Sequence, residues 1–216
     1  MKFLSLQKSR IMKIAVFGAS GRTGIVTVYQ ALDKGYEVNA FARKAHNVTI
    51  QHPKIKIIQG DILEFDKVKQ AVEGTDAVIV TLGQDGNKPL RTLSDGTANI
   101  IKAMKETGVK RLIVMSSAGI LGNDTHPMFG KVIVPLFLNN VYKDKKRQMK
   151  IIRESGLEWI IIRPPRLTQS PKSWKYQVTE RRPGTRSVPR ADVADFMLKL
   201  LKDKSYDEKM PAIASY

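Results

Sequence analysis

Three glycines spaced three residues apart, Gly18, Gly21 and Gly24, lie in the stretch FGASGRTG between an apolar run, IMKIAV, and a helix-like run, IVTVYQALDKG. Glycines at this spacing handle phosphate. The first permits a tight turn, the second lets backbone come close to a pyrophosphate, and the third lets the helix pack on the strand. Free N–H groups at that helix start then face the anion. Gly18, Ser20, Gly21, Arg22, Thr23 and Gly24 are therefore the expected dinucleotide cradle, and the strand before and helix after distinguish the motif from an ordinary tight turn.

The choice of dinucleotide follows from what comes next. A chain that selects NAD carries an Asp or Glu about 20 residues past the loop for the ribose 2′-hydroxyl. From Val38 through Gly60 there is neither, whereas Arg43 and Lys44 follow the run VNAFA. A guanidinium there suits a 2′-phosphate through charge-assisted hydrogen bonds, and Arg22 adds a second cation. The expected cofactor is NADP, with NADPH preferred over NADH. Ligands in such folds lie beyond the carboxyl ends of the strands. On that rule Asp61 and Ile62, after IKIIQG, border the adenine, and Leu82 and Gly83, after DAVIVT, pass under the pyrophosphate and ribose; each is otherwise a turn residue.

Apolar runs recur along the chain as KIAVF, EVNAFA, IKII, DAVIVTL, RLIVMSS and EWIIIRP, with helical segments between them. Strands that are apolar throughout are buried on both faces, as in parallel sheets. Gly35, Gly108 and Gly156 mark helix stops. The fold expected is α/β, a doubly wound, mostly parallel Rossmann-type sheet. After Pro164 the pattern loosens into a Pro-, Ser- and Arg/Lys-rich stretch, read as a substrate-side insertion with a short strand at KYQVTE, before the helix RADVADFMLKLLKD. Residues 1–11 form an N-terminal extension and 12–216 a single NAD(P)-binding domain.

Composition narrows the class. With 216 residues and 42% hydrophobic content the chain can bury one sizeable core. There is no cysteine, which excludes disulfides, thiolate metal sites and a Cys nucleophile and fits a cytoplasmic protein. His46, His52 and His126 have no metal-ligand spacing, so no metal is expected. The run VIVPLFL is far shorter than the ~18–20 residues of a membrane span. Net charge is +17, and Val141 to Arg190 holds fourteen Lys or Arg against four Asp or Glu. That field attracts anionic small molecules. Nucleic acid is not the expected partner, because a helix-turn-helix, an RNA-binding signature and interleaved aromatics are missing. No helix carries a spare apolar stripe, so a monomer or a weak homodimer is expected.

In order from Met12 to about Leu201, the segments GASGRTG, GDI, DAVIVTLG, RLIVMSSAGILG, IIRESGLEWIIIRPPRLT and SVPRADVADFML resemble the atypical short-chain dehydrogenase/reductases that bind NAD(P)H. Within them the chain is most similar to biliverdin-IXβ/flavin reductases and NADH-flavin-reductase-like proteins, with NmrA-like regulators close by. The resemblance implies nicotinamide near Ser116 and Ser117, and near Pro164, Pro165 and Arg166. It places Ser117 beside the hydride path. A serine hydroxyl is too weak an acid to drive protonation alone, so it orients substrate or relays a proton from water.

Tyr142 and Lys146 match the Y-x-x-x-K spacing of the larger dehydrogenase family. On a helical wheel, however, Lys145 shares a stripe with Val141, Met149 and Ile152, and Lys146 falls outside it. The family pattern also puts its active-site lysine at Lys145, on the ribose or nicotinamide side. Where the biliverdin-IXβ branch has two histidines, this chain has Lys145 and Arg166, cations that hold phosphate or carboxylate but are poor acids near neutral pH.

The function implied is an NADPH-dependent reductase passing hydride to a planar, anionic aromatic acceptor: a flavin, a quinone or a bilin-like pigment. Trp174 and Tyr176 either wall the acceptor pocket or pack the insertion. The alternative is an NADP-sensing regulator of the NmrA-like type without turnover.

Overall fold

The computed structural model describes residues 10–83, 91–121, 136, 138–181 and 187–216. His126 and most of VIVPLFL and of the N-terminal extension lie outside the described residues.

Six parallel strands form the central sheet: β1 (Lys13–Phe17), β2 (Glu37–Ala42), β3 (Ile55–Gln59), β4 (Ala77–Val80), β5 (Arg111–Met115) and β6 (Glu158–Ile162). Their spatial order is β3-β2-β1-β4-β5-β6, with β1 paired to both β2 and β4, so the winding reverses beside β1. That reversal opens a crevice at the carboxyl ends of β1 and β4.

Alternation along each strand builds two cores. Ile14 and Val16 of β1 face α1 (Gly24–Asp33) and α5 (Arg190–Lys199), within a cluster that includes Val28, Leu32, Val193 and Met197. Ala15 and Phe17 point the other way, toward α2 (Phe65–Val72), α3 (Thr92–Thr107) and α4 (Asn139–Arg153), where Val68, Ile100, Met104 and Ile152 are buried. Both faces being covered explains why these strands read as continuous apolar runs. α1, α3 and α4 end just before Gly35, Gly108 and Gly156, the stops read from the sequence.

The region after β6 is more ordered than the sequence suggests. β7 (Arg166–Thr168) pairs in parallel with β9 (Ser187–Pro189), and β8 (Tyr176–Thr179) pairs antiparallel with β10 (Ala212–Ser215). Of these four only β8 was legible; β7 and β9, at three residues each, carry too little pattern to read. Buried Arg163 anchors this region, its guanidinium donating to the Met210 and Glu180 carbonyls.

Candidate functional site

The crevice at the winding reversal is a cleft of about 540 Å³. Gly18 sits at φ +81°, a left-handed conformation that turns the chain back so that Gly21 N–H donates to the Gly18 carbonyl at 2.9 Å. Gly24 is fixed by space: a Cβ there would lie 2.0 Å from the Gly18 carbonyl oxygen and 2.9 Å from Thr81 Oγ1. The third glycine thus lets α1 begin directly on the glycine turn and on the end of β4. Thr81 Oγ1 donates to the Phe17 carbonyl at 3.0 Å and joins the ends of β1 and β4 under the loop.

Many residues expected from the sequence meet in this cleft. Its walls include Gly18, Ser20, Gly21, Arg22 and Thr23 from the glycine loop. They also include Arg43 after β2, Asp61 and Ile62 after β3, and Leu82 and Gly83 after β4. Gly24 lies behind the wall. Lys44 is exposed and does not line the cleft, so of the two adjacent cations only Arg43 faces it. Asp61 is already engaged, its Oδ1 accepting the Leu63 N–H at 2.9 Å.

The residues expected around nicotinamide do not line this cleft, although Met115 at the end of β5 does. Ser116 and Ser117 follow it, and the hydroxyl oxygens of both are buried without a hydrogen-bond partner among the described residues. An ordinary strand-end serine bonds nearby backbone, and the unpartnered Ser117 hydroxyl does not. Pro164 is tied to this corner, its carbonyl accepting from Ala118 N–H at 2.8 Å. Pro165 is half-buried, and Arg166 is exposed on β7.

α4 faces the same corner. Tyr142 is buried and its phenol donates to the Ala118 carbonyl at 2.9 Å. Lys145, one turn on, is half-buried, whereas Lys146 is exposed. Tyr142 sits at one edge of the buried stripe of α4 and Lys146, about 40° further round, lies beyond that edge, so the spacing Y-x-x-x-K puts its tyrosine in the core and its lysine in solvent. Burial pushes the Lys145 ammonium down to about 8, and neighbouring Asp144 opposes that shift. The buried side of α4 is more polar than expected, comprising Tyr142, Asp144, Gln148 and Ile152. Asp144 accepts the Leu93 and Ser94 N–H groups at 3.0 and 3.3 Å, fixing the start of α3 at the cleft.

Several wall residues had not been singled out: Phe41, Ala42, Thr81, Thr92, Leu93, Met115, Leu167 and Arg190. One of them left a signal. Arg190 opens α5, and a cation at a helix N-terminus runs against the helix dipole, which asks for an anion nearby. Asp144 left none, being one acid in a lysine-rich run. Trp174 is 71% exposed at φ +59° with the Lys172 ammonium 3.3 Å from its ring centroid. Tyr176 instead packs edge-on against Phe196 and donates to Asp195 at 2.9 Å, the packing role.

Fold and cleft together define a dinucleotide-binding domain of Rossmann type. Residues 18–204 match the family model described as NAD(P)H-binding, and the chain belongs to that family. Among curated relatives, a chloroplastic protein of Arabidopsis thaliana, itself uncharacterised, is 31% identical over 173 residues. The match covers 74% of this chain, which spans only 60% of that relative's length. Two solved structures share the fold. A short-chain dehydrogenase/reductase from Veillonella parvula in complex with NADP superposes with TM-score 0.83 at 19% identity, covering 95% of each chain. An anaerobilin reductase from Escherichia coli O157:H7 superposes with TM-score 0.80 at 20% identity, covering 94% of this chain and 97% of that one. Among the described residues no helix is long and apolar enough to cross a membrane.

Proposed function

We propose that the protein is an NADPH-dependent reductase that passes hydride to a planar, anionic aromatic acceptor of the flavin, quinone or bilin class. The observation that carries this reading is the pair of buried hydroxyls of Ser116 and Ser117, unpartnered among the described residues, at the end of β5, next to Ala118, whose carbonyl accepts from Tyr142 of α4. Buried hydroxyls are normally hydrogen-bonded, so two orphans at a strand end mark a place meant for a ligand's polar atoms. The fold shared with the anaerobilin reductase and with the NADP complex is consistent with this.

The glycine loop and α1 would hold the diphosphate, and Arg43 the 2′-phosphate, since no carboxylate stands at the end of β2 to prefer a free ribose. A reduced nicotinamide bound there supplies the hydride. The Ser117 hydroxyl orients the acceptor. The Lys145 ammonium, still protonated at neutral pH with its proton affinity lowered to about 8, balances the negative charge arriving on the acceptor and can release a proton to it. Aromatic acceptors already delocalise that charge, so positioning does most of the work.

A second reading, NADP sensing without turnover, draws on one observation: the Tyr142 phenol donates to the Ala118 carbonyl, while Lys146 is exposed to solvent. The usual Tyr–Lys proton donor is therefore absent among the described residues. The decay of NADPH absorbance with FMN, a menadione-like quinone and biliverdin, added in turn, separates the two readings. Turnover with any of them, reduced by Arg43→Ala far more with NADPH than with NADH, supports the reductase. Tight NADP binding with no turnover by any acceptor supports the sensor.

A further inference from the structure

Two guanidiniums, those of Arg22 and Arg190, face the cleft. α1 and α5 run parallel, because Gln30 bonds the Ala191 carbonyl and, four residues further along each chain segment, Lys34 at the end of α1 lies 3.9 Å from Asp195. Their positive ends therefore point to the same sheet edge. Arg22 precedes the first helix, Arg190 opens the second, and both line the cleft. Among the described residues neither forms an ion pair, and Arg190 spends one bond on the Leu167 carbonyl at 3.2 Å. The wall's one carboxylate among the described residues, Asp61, takes a backbone N–H. Arg190 also feels the crowding: burial, and then the nearby Arg22 charge, hold it below the usual arginine value.

Like charges gathered at two helix starts repel each other, and an anion lying between them relieves that repulsion. The position says which negative group. Arg43 follows β2, on one side of β1, while Leu167, whose carbonyl Arg190 bonds, comes in the chain just after β6, the strand at the opposite edge of the sheet. A dinucleotide laid across the winding reversal has its 2′-phosphate toward Arg43 and its diphosphate over the start of α1, between Arg22 and Arg190.

Resting on the dinucleotide reading above, we propose that Arg190 and Arg22 clamp the diphosphate from two helix starts, Arg22 serving the diphosphate in place of the 2′-phosphate expected from the sequence, so that Arg190 sets affinity for both coenzymes alike while Arg43 sets the choice between them. β7, β9 and α5 then belong to the cofactor site as well as to the substrate side.

Calorimetric titration of NADP⁺, NAD⁺ and ADP into the full chain at fixed ionic strength tests this, using wild type, Arg190→Gln, Arg190→Lys and Arg43→Ala. Arg190→Gln should weaken all three ligands by the same factor, about 10- to 100-fold for lost charge-assisted bonds. The NADP⁺/NAD⁺ ratio should stay constant, and Arg190→Lys should recover part of the loss. Arg43→Ala should collapse the ratio. Because Arg190→Gln relieves repulsion from Arg22, the ligand-free variant should melt no lower than wild type.

Unchanged coenzyme affinities in Arg190→Gln overturn the clamp, as does a loss confined to NADP⁺ or an effect only on the acceptor's KM. A drop in melting temperature with affinities intact assigns Arg190 to the fold alone and also overturns it. If wild type binds none of the three ligands, the dinucleotide reading itself fails.

Discussion

Lys145→Met removes one charge from the buried face of α4 and keeps its length, so it isolates the cost of holding an ammonium there. The Lys145 proton affinity falls from an ordinary lysine value to about 8 because burial strips water from the ammonium. With an unfolded value of ~10.4 and ~1.36 kcal/mol per factor of ten, the penalty comes to roughly 3 kcal/mol. Partial solvent access lowers this to about 1–3 kcal/mol. The sign follows from proton counting. Below pH about 8 folded and unfolded chains both hold the proton, and the penalty is constant. Between about 8 and ~10.4 only the unfolded chain holds it, so stability rises with pH.

Ligand-free Lys145→Met should therefore be more stable than wild type at pH 7, by roughly 2–10 °C in melting temperature for a chain of this size. That advantage should shrink as pH climbs toward 10. Differential scanning calorimetry of both proteins from pH 6 to 10 measures it, and the difference between them cancels the other lysines and tyrosines. If the two curves run parallel, or if Lys145→Met melts lower at pH 7, the ammonium is not desolvated and the argument for Lys145 fails. In the reductase assay, wild-type kcat should fall as pH passes about 8, where the ammonium is lost, and Lys145→Met should show no such step.

Gly24→Ala drives a Cβ to 2.0 Å from the Gly18 carbonyl, so α1 must retreat from the glycine turn; coenzyme affinity measured by calorimetry should drop more than tenfold. Overpacking of this kind costs about 1–3 kcal/mol or more, readable as a lower urea midpoint. Asp144→Ala leaves Leu93 and Ser94 N–H groups without their acceptor at the start of α3, and should cost about 1–3 kcal/mol by chemical denaturation while hydrogen exchange rises in the first turn of α3. Asp192 accepts from Ser173 N, Ser173 Oγ and Trp174 N, holding Trp174 at φ +59°. In Asp192→Ala that strained strap should relax, giving faster tryptic cleavage at Lys172 and Lys175 with little change in coenzyme affinity.

The glycine loop, the six parallel strands and the cation after β2 were legible because each is written locally. A strand buried on both faces must be apolar throughout, and a phosphate turn needs residues without side chains at fixed spacing. Helical periodicity and the family pattern both favour Lys145 over Lys146, and its partial burial agrees with the first of them. The polar face of α4 was not legible, since Asp144 and Gln148 acquire partners on α3, about 50 residues back along the chain. Arg190 shows the same limit: its neighbour Arg22 lies in the glycine loop before α1, and their meeting depends on α1 and α5 packing in parallel.

What this sequence determined by itself is which segments become strands, helices and the phosphate turn, because those depend on backbone preference and on burial repeating along a short stretch. Which charges share a cleft, which hydroxyls lose their partners and which lysine loses its water were decided only by the tertiary structure. Electrostatics and desolvation act through space, and only packing sets the distances over which they act.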